Sequence, residues 1–273
     1  MIERPSVRFI DLGIGCADQT IYLTQKFPSL ISSYIGVTID QAQFSFALQR
    51  LDSLDNPNGD ESRQDEQNLQ QDRDTIPENQ KLSDDASSKY FKRSTGNQVE
   101  IFCEDAANPS CWSDTLKEST DRDHDIGSAL WVLALDTLYH FNPSRKPLFD
   151  HAFKHHKASI MAFDLLLADE ASLIDRFSAS ALALLMSCPM GTFKTKAEYQ
   201  AQLVEAGYEI ERIEMKDISE HVFSGLADFI EKRDNELKTF LGRDMGAYKV
   251  FSWVLRWWAR TGVVRGYIVV ARK

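Results

Sequence analysis

The sequence lacks the features that define several large functional classes. No apolar run approaches the roughly 20 residues needed to cross a bilayer, and no apolar leader follows Met1. Cations are in deficit, with 31 Lys and Arg against 41 Asp and Glu and a net charge of −10. A nucleic-acid partner needs clustered cations to neutralise its phosphates, so none is expected. Cysteine is scarce, and Cys16, Cys103, Cys111 and Cys188 follow no CxxC or other metal spacing. Their usage implies free thiols in a reducing compartment, no metal centre and a cytoplasmic location. No G-K-[ST] triplet occurs, which excludes a P-loop.

What remains is an alternation of strands and helices. The periodicity predicts strands over Val7–Leu12, Tyr34–Ile39, Val99–Cys103, Ala129–Leu135, Ser159–Leu167, Tyr208–Met215 and Arg265–Ala271. Helices are predicted over Ala17–Phe27, Gln41–Leu51, Pro147–His156, Glu170–Met186, Ala197–Ala206, Phe223–Leu241 and Ala247–Arg260. The ALWVLAL run, Ala129–Leu135, is apolar throughout, as a strand buried on both faces must be. Such alternation predicts an α/β fold: a Rossmann-like, seven-stranded, mostly parallel sheet with helices on both faces. All of 1–273 is expected to form one domain with a single interruption at 52–98. Eleven acids and three bases fall between Asp52 and Ser88, with few large apolar residues. The insertion at 52–98 therefore cannot bury enough surface to offset its ordering entropy and is expected to be disordered.

In an open α/β sheet, ligands bind beyond the carboxyl ends of the strands. The first strand–helix turn reads D-L-G-I-G-C-A-D, Asp11 to Asp18. Gly13 and Gly15 allow a tight turn and bring backbone N–H groups against a ligand. The third glycine of a dinucleotide fingerprint is replaced by Asp18, which would hinder and repel a pyrophosphate. The turn therefore suits a nucleoside without a phosphate chain.

At Asp11, Gly13, Gly15 and Ala17 the sequence resembles the first motif of the class I S-adenosylmethionine-dependent methyltransferases. YIGVTIDQAQ, Tyr34–Gln43, resembles the second motif of the branch containing the cyclopropane synthases, with Thr38 and Gln43 in the matching positions. The resemblance implies that this segment reaches the ribose. Asp40, where serine is commoner, can bind ribose hydroxyls or cap the following helix. Asp105 in FCEDAA matches the acid that holds the adenine amino group in that family, with Ala106 beside it and Leu135 closing the strand opposite. KTKAEYQAQLVEAGYEIERIEMKDIS and GYIVVARK resemble the late helix–strand unit and last strand of the sterol/ubiquinone-type branch. The implied activity is methyl transfer from S-adenosyl-L-methionine to a small acceptor, with oxygen slightly favoured as the receiving atom. The alternative is a methyltransferase-like protein that binds without turnover.

DTLYHF, Asp136–Phe141, follows the apolar strand at its carboxyl end. The family resemblance places His140 where some members carry a general base, and a neutral imidazole suits that role. It can equally pack against the cofactor's methionine end. Asp164, inside the apolar IMAFDLLL, is costly unless paired, and a His140–Asp164 dyad would supply a partner. Tyr139 can face the acceptor or the sulfonium, or belong to the core. Glu220 and His221 are weaker candidates for the acceptor pocket.

Residues 219–264 are expected to form a helical cap over an apolar or aromatic acceptor. Their AYKVFSWVLRWWAR helix aligns Val250, Phe251, Val254, Leu255 and Trp258 on one face, and 247–260 could graze a membrane surface. The branch's usual Pro-Gly-Gly turn before the fifth strand is replaced by HHKAS. The branch's usual N-terminal helices over the cofactor do not appear before the first strand, so the expectation is either a site short of that cover or one that Phe223–Arg260 covers instead.

Overall fold

Strand alternation writes two faces into the sheet. In β1 (Val7–Leu12), Ile10 and Leu12 join one buried cluster while Phe9 packs into another. In β6 (Ser159–Leu167), Ile160, Ala162 and Leu166 join the first cluster, and Phe163, Leu165 and Leu167 a third. Both faces are therefore covered, as the apolar strands require. The computed structural model describes residues 6–55, 89–93, 98–122, 128–185, 188–246 and 248–273.

After β1 come α1 (Asp18–Lys26), β2 (Ile31–Thr38), α2 (Gln41–Asp55), β3 (Lys89–Arg93), β4 (Gln98–Cys103), α3 (Asp114–Asp121) and β5 (Ala129–Leu135). α4 (Lys146–Asp150) continues as a π-helical turn, His151–His155, before β6. α5 (Leu173–Leu185), α6 (Lys196–Ala206), β7 (Ile213–Asp217), α7 (Ser219–Leu241), α8 (Tyr248–Thr261) and β8 (Val264–Ala271) complete the chain. The sheet order is β3-β4-β2-β1-β5-β6-β8-β7. β4, β2, β1, β5 and β6 run parallel, and β8 lies antiparallel between β6 and β7. The seven expected strands are present.

An eighth strand was not anticipated. β3 pairs antiparallel with β4, Phe91 opposite Ile101, inside the segment expected to be disordered. Residues 52–55 also differ from that expectation, because they complete α2. The rest of the expected insertion, 56–88 and 94–97, lies outside the described residues. α3 was missed too, although Ser113 caps it by accepting from the Leu116 N–H at 3.2 Å. The expected strand from Tyr208 begins only at Ile213, since the Tyr208 hydroxyl anchors the chain to the Ala158 carbonyl at 2.9 Å.

α7 and α8 form a hairpin tied by Arg256, which donates to Glu231 and Asp228. Of the predicted apolar face of α8, Val254, Leu255 and Trp258 are buried and Phe251 partly so, whereas Val250 is 59 % exposed. Trp253 is exposed as well. No described helix is long and apolar enough to cross a membrane.

Candidate functional site

The first turn is built around two close approaches. β1 runs on through Gly13, whose N–H donates to the Val37 carbonyl at 2.8 Å. Gly13 has φ +80°, and a Cβ there would meet Thr137 Oγ1 at 2.5 Å. Only glycine satisfies both demands. Gly15 has φ +54° but faces open space, so there the constraint is conformational. Ala17 holds the left-handed conformation just before α1 and is fully buried. Arg50 reaches across from α2 to fix the turn, donating to the Cys16 carbonyl and pairing with Asp18, each at 2.8 Å.

Beside this turn lies a cavity of about 690 Å³ at the carboxyl ends of β1, β2, β4 and β5. Eight of the ten residues expected to bind the cofactor line it: Gly13, Gly15, Thr38, Asp40, Gln43, Asp105, Ala106 and Leu135. Asp11 and Ala17 do not. Asp11 is buried beneath the turn, where the Tyr34 hydroxyl donates to its carboxylate. Burial pushes the Asp11 pKa up to about 7, against the opposing effect of that hydrogen bond. Its role is to support the turn, as is that of Ala17.

The local hydrogen bonds set the lining. Asp40 Oδ1 accepts from the Gln43 N–H at 2.8 Å, so this carboxylate caps α2 at the cavity edge. Thr38 donates to Gln43 Oε1 at 3.1 Å. Asp105 Oδ1 accepts from the Ala107 N–H at 2.9 Å. Asp136 follows β5 with φ +62°, and its Oδ1 accepts from the Tyr139 hydroxyl at 2.8 Å. Sequence reasoning missed Asp136, Thr137, Phe141 and Asn142 as lining residues, along with Ile39. The DTLYHF motif held the signal for the first three, but which of its residues turn inward depends on the short helical turn Leu138–His140.

Two physical properties of this cavity stand out. Among the described residues, its lining contains Asp40, Asp105 and Asp136 but no Lys or Arg. It therefore repels phosphate and favours a ligand with positive charge. Apolar side chains also remain open at it, Ile39 at 72 % and Leu135 at 37 % exposure. A flat, weakly polar base would cover them.

The expected His140–Asp164 dyad is not formed. Alternation along β6 puts Asp164 on the face of Ile160, Ala162 and Leu166. There Arg145 Nε stands 3.1 Å from its Oδ2, and the Arg145 guanidinium lies 5.0 Å over the Tyr199 ring. Both partners of the pair are buried, and desolvation raises the Asp164 pKa to about 6 despite Arg145. Asp164 thus has a structural partner far more basic than histidine. His140 lines the cavity, and its Nδ1 lies 3.4 Å from Cys188 Sγ. Burial pushes the Cys188 thiol up to about 11, so it is uncharged near neutrality. Tyr139 is buried and absent from the lining, with its carbonyl accepting from Thr192. Desolvation drives its phenol well above the usual range, so its proton stays in place.

No described residue of 219–264 lines this cavity. The α7–α8 hairpin instead shares a core with Tyr139 and Cys188, one layer behind His140. Glu220 and His221 are exposed and paired with each other at 3.1 Å. All four cysteines are free thiols.

No protein-family model matches the sequence, and no curated protein matches it either. Solved structures do. Haemonchus contortus phosphoethanolamine N-methyltransferase 2, solved with phosphomonomethylethanolamine and S-adenosylhomocysteine, is 11% identical with a TM-score of 0.61. That match takes in 99% of this chain and 50% of the nematode enzyme, so the chain spans about half its length. The cyclopropane synthase MmaA2 from Mycobacterium tuberculosis is also 11% identical, with a TM-score of 0.57 over 100% of this chain and 80% of that one. The [4+2]-cyclase SpnF is 13% identical, with a TM-score of 0.56 over 100% of this chain and 76% of its own. With a cyclase among these structures, one fold serves more than one chemistry. What the likeness establishes is architecture: the chain has the α/β fold of the class I small-molecule methyltransferases.

Proposed function

We propose that this protein binds S-adenosyl-L-methionine and transfers its methyl group to a small, lipophilic or aromatic acceptor, with oxygen as the favoured receiving atom. The observation that carries the reading is the charge and polarity of the roughly 690 Å³ cavity: among the described residues, three carboxylates, no Lys or Arg and exposed apolar side chains at the carboxyl edge of the sheet. A sulfonium nucleoside brings positive charge, an apolar base and no phosphate, and so fits that lining. Its volume lies in the usual range for small-ligand sites.

Thr38, Asp40 and Gln43 would hold the ribose and Asp105 the adenine amino group, with Ala106, Ile39 and Leu135 against the base. Gly13 and Gly15 keep the turn low enough for the ligand to lie on backbone N–H groups. Asp136 would face the cationic end. The bound cofactor supplies an activated methyl group, so much of the rate comes from holding the acceptor in line. His140 is the candidate proton acceptor. With Nδ1–H donated to Cys188 Sγ, its Nε2 lone pair can take the acceptor's hydroxyl proton. Tyr139 acts as a positioning residue through its hydrogen bond to Asp136.

The α7–α8 hairpin would shape the acceptor side from behind Tyr139, and the exposed Tyr248, Val250 and Trp253 would allow α8 to touch a lipid surface. Free thiols accord with work in a reducing, cytoplasmic setting. A second reading, a binder without turnover, is favoured by one fact: every described residue lining this cavity comes from the first 142 positions, and no described residue of the hairpin joins them.

Calorimetry with S-adenosylmethionine and S-adenosylhomocysteine tests the binding step, and isotope transfer from labelled cofactor into pooled small metabolites tests turnover. Saturable binding with label transfer is the expected result. Binding without transfer would favour the second reading, and absence of binding would remove both.

A further inference from the structure

The edge of the sheet opposite the cavity carries a cluster that methyl transfer does not use. HAFKHH, His151–His156, ends the helix before β6 with imidazoles at positions i, i+4 and i+5. In a regular α-helix the last would point away from the first. Here the chain takes a π-helical turn, and the His156 N–H donates to the His151 carbonyl five residues back at 3.2 Å. The wider turn brings residue i+5 over residue i, and such turns are frequent at functional sites. All three rings consequently meet: His151 to His155 at 4.7 Å, His151 to His156 at 4.6 Å and His155 to His156 at 4.9 Å between centroids. One nitrogen of each lies within 4.8 Å of the others.

We infer that His151, His155 and His156 form a binding site for a divalent transition metal of the zinc type. Three imidazoles are a ligand set for zinc, copper, nickel or cobalt rather than for magnesium or calcium. Nitrogens about 2.0 Å from a tetrahedral zinc lie about 3.3 Å apart, so small side-chain rotations close the set. Three further observations support a site over simple ring packing. His156 has a side chain only 4 % exposed, and its Nε2 has no hydrogen-bond partner among the described residues. A buried nitrogen left unpaired is costly, and a metal would satisfy it. Asp121, at the end of α3, stands 3.0 Å from His155 Nε2 and 3.5 Å from His156 Nδ1. Metal-bound histidines commonly have such a carboxylate orienting the ring. Finally, a cavity of about 320 Å³ lined by Asn108, Pro109, His151 and His155 gives an entry route.

The site is remote from the reaction. It lies where α3 ends and β6 is about to begin, with Arg8 of β1 donating to the nearby Thr120 carbonyl at 3.2 Å. Bound metal would clip these segments together at the amino edge of the sheet.

The test titrates the full chain, freed of metal by chelation, with Zn2+ by calorimetry and with Co2+ by visible absorption. One equivalent is expected to bind saturably, with a nitrogen/oxygen-type cobalt spectrum and a raised melting temperature. His155 is largely exposed, so His155→Ala should fold normally, weaken binding at least about tenfold and abolish the thermal shift. His151→Ala should do the same. The inference is overturned by absence of saturable uptake, by uptake that both variants leave unchanged, or by a cobalt spectrum showing sulfur ligation through the cysteines. None of these readouts depends on methyl transfer.

Discussion

The two halves of the sheet's carboxyl edge differ in how their side chains are held. On the β1–β2–β4 side, short-range contacts hold the polar side chains of the lining. Asp40 caps its own helix, Asp105 accepts from a backbone N–H two residues on, and Thr38 bonds a side chain five residues away. On the β5–β6 side, long-range contacts dominate: Asp164 pairs with Arg145, His140 meets Cys188, and Thr192 donates to the Tyr139 carbonyl. The comparison teaches that the polar lining beside the glycine turn is assembled from local motifs, whereas the β5–β6 side depends on segments brought together by packing.

Breaking the long-range side should cost most. Arg145→Met leaves Asp164 buried without its ion-pair partner and is expected to lower stability by about 3–5 kcal/mol in urea melts. Arg145→Met combined with Asp164→Leu should recover most of that loss, because the uncompensated carboxylate is gone. On the local side, Gly13→Val forces a branched side chain into Thr137 at a positive φ. It should reduce S-adenosylhomocysteine affinity by more than about a hundredfold, roughly 3 kcal/mol, as read by calorimetry. Gly15→Ala, which meets no neighbour, should be the milder change in protein stability.

His140→Ala sharpens the comparison at the boundary between the halves. If the imidazole takes the acceptor's proton, turnover should fall about a hundredfold while cofactor affinity stays nearly constant. Equal loss of both would assign it to packing. Asp11 adds a pH dependence to the comparison. Its folded pKa of about 7 lies above the ordinary carboxylate value of 3.8, so the native state keeps a proton that the unfolded chain has released. Stability should therefore fall as pH rises from about 4 to 7, by at most about 1.4 kcal/mol per pH unit from this group. In Asp11→Asn that component of the slope should vanish from urea melts recorded across the window. The remaining slope would include Asp164, whose pKa of about 6 acts in the same direction.

Periodicity exposed most of the fold. Apolar runs and alternation marked seven of the eight described strands. It missed β3, because an edge strand paired on one side needs no long apolar run. It also missed α3, whose eight residues carry little apolar signal. For the candidate site, the glycine turn and the Thr38–Gln43 segment were legible because their roles follow from backbone conformation and from bonds between near neighbours. Asp164 was recognised as needing a partner, but Arg145 lies nineteen residues away on another element, and no spacing pointed to it.

The sequence by itself determined the sheet, the turn that approaches a ligand closely and the acidic, cation-poor character of the residues around it. These follow from hydrophobic period, from the steric freedom of glycine and from the count of charges. Tertiary structure alone decided which carboxylates face the cavity and which are buried away from it, which partner each ionisable group takes and how three histidines converge on a π turn. Those outcomes depend on which strand face meets which helix, and that is settled only when distant segments pack.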